Sequence, residues 1–301
     1  MSRHLVLVHG RAQEHKDPAA LKAAWLDALR KGLAKSHLEL PIGEADVHFP
    51  FYGDTLYDLV DGMSAEDAAR VIVRGTDTSD EEIRFTRAIL REIQEKAGIT
   101  DAQVSEVGGQ EAIGKGPQNW EWFQSILKAI DRYVPLGSGS SIALFTRDVY
   151  RYLKDQTVRE TIEAGVVQAM PTGVETVVVS HSLGTVVAYN LLRREGQARE
   201  WKVPLFVTLG CPLAIREIRK TLSSFATTRC PECAAAWFNA MDERDVVALY
   251  PLNPAAFPLS PAAPVIENKT DVDNWTKNRH GIDGYLDDAE VARRIYRALV
   301  A

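Results

Sequence analysis

Ser182 stands in "VVVSHSLGTVVAYNLL", residues 177–192, where a run of β-branched residues passes directly into a segment with helical spacing. A serine on a sharp strand-to-helix turn presents its hydroxyl for attack on a carbonyl, and the residues two before and two after it must be small, or the helix cannot pack on its strand. Here those positions hold Ser180 and Gly184. Glycine is usual at the first, and Ser180 replaces it with one of the smallest side chains there is. A serine hydroxyl is a weak nucleophile at neutral pH, so it needs a histidine to take its proton and a carboxylate to orient that histidine. The chain offers 7 histidines, and Asp242 closes the apolar run "AAWFNAMD", with Glu243 and Asp245 just after it.

Positioning such groups requires a rigid frame. Apolar runs of strand length occur at 4–10, 45–53, 174–180, 203–210, 235–242 and 263–272, with helical patterns between most of them. Strands of this kind alternating with helices predict an α/β fold whose largely parallel sheet is buried on both faces. Asp17 and Pro18 form an N-cap and N1 pair for a helix from 18 to about 31, with Gly32 as its stop. A second helix follows Ser182 and runs to Gly196; a last one covers about 288–300, with Val291, Ile295 and Leu299 on one face. From Gly53 to Val174 lie roughly 120 residues, far more than one crossover needs. They read as inserted helices, including a long one over roughly 142–169. The chain is therefore expected to form a single domain over 1–301, with residues 54–141 as an inserted helical cap hinged at "GKGP" and "GSGSS". Trp122 and Phe123, in "NWEWFQSILKAI", are its candidate substrate-pocket residues. Aromatic stripes of this sort otherwise pack as core.

Composition narrows the function classes. The 301 residues are 46% hydrophobic and 25% charged, as in ordinary globular proteins. A formal net charge of −6 without a basic stripe points away from a nucleic-acid partner. No run reaches the ~20 apolar residues that span a bilayer, and "MSRHLVLVHG" enters a strand-like run with no signal-peptide h-region. No stable membrane anchor and a cytoplasmic location are the expectations. The 3 cysteines are too few for a disulfide framework. "CPEC" at 230–233 has half the ligands of a four-ligand metal site and reads more simply as a turn.

Taken together, "VLVHGR", "VVVSHSLGTVVAYNLL", "VTLGCPL", "ERDVVALY" and "NRHGIDGYL" resemble the α/β-hydrolase superfamily. The similarity is to bacterial lipase- and esterase-like members, distantly similar to acyl-hydrolysing inositol deacylases. It covers most of the chain except the middle insertion. The resemblance implies the chain order serine, acid, histidine, under which only His280 is left as the base. It implies Asp245 as the acid, since lipases often follow that residue with two aliphatic ones as in "RDVVAL"; Asp242 is the runner-up. It also implies an oxyanion hole from the backbone N–H groups of Leu183, after the serine, and Arg11, after the "HG" pair, where His9 braces the loop. The expected activity is carboxylic ester hydrolysis of a small-molecule or lipid ester through an acyl-enzyme, with no metal or organic cofactor. An acyltransferase or peptidase on the same triad, or a non-catalytic receptor or interaction module, are the alternatives.

Overall fold

The protein is described by a computed structural model that covers residues 3–10, 16–53, 79–108, 120–134 and 138–301. Six strands form one sheet: β1 (His4–Val8), β2 (Val47–His48), β3 (Thr176–His181), β4 (Phe206–Leu209), β5 (Trp237–Ala240) and β6 (Glu267–Lys269). Their order is β2-β1-β3-β4-β5-β6, and every neighbouring pair is parallel. The architecture is thus α/β, with helices on both faces.

Alternation along the central strands explains why they are apolar throughout. Leu5, Leu7, Val177 and Val179 enter one core with α1 (Pro18–Ala34) and α10 (Ala289–Val300), whereas Val6, Val8 and Val178 enter the other. That second core also takes residues from α2 (Asp80–Lys96), α4 (Trp120–Tyr133), α5 (Gly139–Lys154), α6 (Gln156–Ala169), α7 (Leu183–Glu195) and α8 (Arg216–Phe225). A sheet covered on both sides has no solvent face, and all six residues of β3 are buried. Two further helices, α3 (Asp101–Gly108) and α9 (Ile282–Leu286), complete the ten α-helices among the described residues. None of these helices is long and apolar enough to cross a membrane.

Three local features differ from the pattern in the sequence. α1 does not stop at Gly32 but continues to Ala34. A Cβ at Gly32 would lie 2.3 Å from the Leu286 carbonyl oxygen and 2.8 Å from the Ala292 Cβ, so this glycine serves close packing of α1 on α9 and α10. The single helix expected over 142–169 is two, because Asp155 leaves helical geometry (φ −93°, ψ 115°) and its side chain accepts from the amides of Thr157 and Val158, capping α6. The run at 45–53 pairs only through Val47 and His48, since Pro50 has no N–H with which to extend the ladder.

The topology also locates a crevice. From β1 the chain passes to β2 on one side, then returns across β1 to β3 and proceeds outward on the other. Strand order therefore reverses between β1 and β3, and in open parallel sheets the space beyond the carboxyl ends at that reversal is where ligands are received.

Candidate active site

Ser182 sits at that reversal, between β3 and α7. Its backbone is at φ 55°, ψ −128°, a region that non-glycine residues rarely enter and that costs of order 1–3 kcal/mol. The Ser182 amide donates to the Leu209 carbonyl oxygen at 3.1 Å, and the Ser182 carbonyl oxygen accepts from both the amide (2.9 Å) and the hydroxyl (2.7 Å) of Thr185. The turn is crowded on each side. A Cβ at Gly184 would come within 2.4 Å of the carbonyl oxygens of Val8 and His9, and one at Gly10 within 2.8 Å of the Ser182 Cβ. Ser180 is accommodated where its hydroxyl donates to the Val207 carbonyl oxygen at 2.9 Å.

His280 arrives from the loop between β6 and α9, 98 positions away, and its Nε2 is 2.8 Å from the Ser182 Oγ. Its Nδ1 is 2.7 Å from the Asp245 Oδ2, on the loop beyond β5. A carboxylate only accepts, so Nδ1 carries the proton and donates, which leaves Nε2 to accept from the Ser182 hydroxyl. Asp245 is itself held by four donors: the amides of Val247 (2.8 Å) and Ala248 (3.3 Å) on Oδ1, and His280 and the Tyr285 hydroxyl (2.6 Å) on Oδ2. This arrangement can move a proton from serine to imidazole while a buried anion faces the resulting charge.

Asp242 and Asp245 have different surroundings. Asp242 accepts from the backbone and guanidinium of Arg244 and from the Asn274 amide at 2.9 Å. Burial opposes its charge, but the Arg244 bonds and these amides outweigh it and hold the carboxyl below its ordinary range. Asn274, fully buried, then donates to the Gly281 carbonyl oxygen at 2.9 Å, so Asp242 anchors the loop that carries His280 without touching its ring.

Two other histidines frame the serine. His181 is buried, its ring centroid is 4.7 Å from that of His280, and desolvation pushes its pKa well below the usual value. His9 is buried at the end of β1, where desolvation lowers it to about 4. Neutral His9 donates from Nδ1 to the Gly10 carbonyl oxygen (2.6 Å) and accepts at Nε2 from the Tyr52 amide (3.1 Å), while the Tyr52 hydroxyl bonds the His9 carbonyl oxygen. The loop after β1 is thereby tied to the segment after β2. Leu183 supplies the first amide of α7, one of the helix-start donors without an intrahelical acceptor. Arg11 lies outside the described residues.

A cavity of about 610 Å³ opens above Ser182 and His280. Leu21, Ala24 and Trp25 of α1 form one wall, and Ile142 and Phe145 of α5 with Val246 and Val247 another; Lys16, Asp17, Asn278 and Asp283 also face it. Among the described residues, Trp122 and Phe123, the expected substrate-pocket pair, are not part of this cavity's lining. Their side chains are buried within the insertion, edge to face with each other and with the Arg91 guanidinium over the Trp122 ring. The apolar face of α4 packs into core, and it is the first turns of α5 that reach the site. Of the expected cap, residues 54–78, 109–119 and 135–137, including "GKGP", lie outside the described residues.

Sequence reasoning overlooked Tyr285, Asn274 and the bond from His181 to the His280 loop. Tyr285 stands five positions after His280, at a spacing that carries no motif. Asn274 is one polar residue in a polar loop, and nothing local distinguishes it. Cys230 and Cys233 are free thiols, both raised to about 11 by burial. No protein-family model matches this sequence, and neither a curated protein nor a solved structure matches it with significance.

Proposed function

We propose that the protein is a serine hydrolase of the α/β-hydrolase type that cleaves carboxylic esters. The observation that carries this reading is the continuous hydrogen-bonded relay from the Ser182 Oγ through His280 to Asp245, at 2.8 and 2.7 Å, on the floor of a largely apolar cavity. The parallel sheet and the chain order serine, aspartate, histidine are in keeping with that superfamily.

In the proposed reaction Ser182 attacks the substrate carbonyl carbon as its proton passes to the His280 Nε2. Negative charge on the carbonyl oxygen is met by the Leu183 amide, with the Arg11 amide proposed as the second donor. Asp245 keeps Nδ1 protonated and faces the imidazolium. The imidazolium then protonates the leaving alkoxide, the C–O bond breaks, and the acyl group remains on Ser182. Water deprotonated by the same imidazole attacks the acyl-enzyme and releases the carboxylic acid, returning the proton to Ser182.

The test is labelling by a fluorophosphonate together with turnover of p-nitrophenyl esters of graded chain length. The wild-type protein should label, and Ser182→Ala should neither label nor turn over, with a loss of several orders of magnitude. A folded wild-type protein that does not label would rule out an activated serine and leave a non-catalytic binding module. Product analysis with and without an acceptor alcohol separates hydrolysis from acyl transfer.

A further inference from the structure

We infer that Tyr285 is the positioning residue that sets the basicity of His280, acting through the one carboxylate oxygen of Asp245 that both side chains share. The Tyr285 hydroxyl donates to the Asp245 Oδ2 at 2.6 Å, and the His280 Nδ1 donates to the same atom at 2.7 Å. The direction of the tyrosine bond is set from behind: its oxygen accepts from the Asp242 amide at 3.2 Å, which turns the hydroxyl hydrogen toward Asp245. Desolvation, reinforced by the Asp245 charge and hydrogen bond, pushes the phenol well above its usual range, so it stays protonated and remains a donor.

The placement is built into the fold. Tyr285 is fully buried on α9, five positions from His280, and it does not line the cavity. Gly210, at the end of β4 with φ +55°, passes close to both rings: a Cβ there would lie 3.0 Å from the Tyr285 Cε2 and 3.1 Å from the His280 Nδ1. The glycine lets the phenol and the imidazole converge on one oxygen from adjacent positions.

Each donor to an anionic oxygen neutralises part of the charge that would otherwise stabilise the imidazolium. Tyr285 therefore keeps Asp245 aligned while making His280 less basic than a carboxylate facing imidazole alone would. Among the described residues, the titratable and charged groups near this oxygen include His181 from the elbow, Asp242 with Arg244 from the β5 loop, and Cys211 beyond β4; Lys96, Tyr133, Glu243 and Arg279 line a smaller cavity on the Asp245 side, and Lys16, Asp17 and Asp283 face the main one. Burial keeps His181 neutral and raises the Cys211 thiol to about 12, and Asp242 stays ionised, so these three hold one charge state between about pH 6 and 9.

The kinetic arm of the test rests on the serine-hydrolase reading; the spectroscopic arm does not. The His280 ring is titrated by ¹⁵N NMR in the full-length protein, with its signals identified by their loss in His280→Gln. The titration is repeated in Tyr285→Phe and in a protein with 3,5-difluorotyrosine at position 285, whose more acidic hydroxyl donates more strongly in the same packing. Tyr285→Phe should raise the His280 pKa by about half a unit to one unit, and the fluorinated residue should lower it. The acidic limb of kcat/KM for an ester should shift to higher pH in Tyr285→Phe. Its kcat should fall roughly tenfold while KM stays within about twofold, because the phenol does not reach the cavity. Unchanged His280 pKa values in both variants overturn the inference, as does a fall in melting temperature with no change in titration. Should Tyr285→Phe fail to fold, the fluorinated protein decides by the sign of its shift. Failure of wild-type protein to label with fluorophosphonate would remove the hydrolase reading, and the ring titration would still judge the role of Tyr285.

Discussion

The His181 Nε2 donates to the backbone carbonyl oxygen of His280 at 2.7 Å, so the residue before the candidate nucleophile holds the loop that carries its candidate base. Trp25 meets the His181 ring edge to face, and burial keeps that ring neutral. The tautomer follows, with the proton on Nε2. Replacing His181 by Phe would leave the His280 carbonyl oxygen without this donor. The expected result is a fall in kcat of roughly tenfold, with partial recovery in His181→Gln, whose amide can donate to the same oxygen. Steady-state kinetics on a p-nitrophenyl ester measure it, and equal losses in both variants would argue against the hydrogen bond as the cause.

The two aspartates of the β5 loop should separate cleanly. Asp245→Asn removes the anion that faces His280, and under the proposed mechanism kcat should drop by about 10⁴, the loss expected when a catalytic histidine is no longer held in its reactive tautomer. Asp242→Asn weakens the bonds to Arg244 and Asn274, and it should lower stability by about 1–3 kcal/mol with a much smaller loss of turnover. Chemical denaturation and kinetics on both variants check the contrast. The reverse ranking would make Asp242 the functional acid.

Gly184→Ala tests the elbow itself. Its new methyl carbon would lie 2.4 Å from two backbone carbonyl oxygens, Val8 and His9, neither of which is the end of a flexible side chain. Relief requires α7 to move off β1, so the variant should lose more than about 3 kcal/mol of stability and its fluorophosphonate labelling should fall. A melting temperature within a degree of wild type would show that the turn is looser than this geometry implies.

Substrate selectivity should respond to α5 and not to α4. Phe145→Ala enlarges a wall of the cavity and should shift preference toward longer acyl chains, because Phe145 lines it beside Ile142. Trp122→Ala and Phe123→Ala empty core positions and should each cost about 3–5 kcal/mol while leaving the chain-length profile unchanged. Rates on esters of graded length, set beside thermal melts, distinguish the two behaviours.

Acid should destabilise the fold through His9. Its pKa falls from 6.5 to about 4 on folding, mainly by desolvation, so between those values the unfolded chain binds a proton that the folded one does not. Stability is therefore unaffected above about pH 7 and is lost as pH falls toward 4, by about 3 kcal/mol in total for this residue. His181, depressed by the same cause, adds loss of the same sign. Denaturation midpoints of wild type and His9→Asn at pH 7 and 4.5 should show a shallower pH dependence in the variant. Parallel slopes would mean that the proton is taken up elsewhere.

What the sequence determined by itself is local. The small residues around Ser182 follow from the steric demand of one turn, and the β-branched runs announce buried parallel strands because a sheet covered on both faces leaves no polar side. Histidine order left His280, through a family resemblance in topology and not through any property of its own segment. Tertiary structure decided the rest. Asp242 and Asp245 are three residues apart on one loop, and the difference between an anchor for Asn274 and a partner for His280 arises from where that loop turns in space. The aromatic stripe of α4 and the apolar turns of α5 look alike in periodicity, yet one is core and the other lines the cavity, since periodicity identifies the apolar face of a helix but not what that face meets. Tyr285 reaches the Asp245 Oδ2 across 40 positions, and only the packing of α9 beneath the end of β4 brings them together.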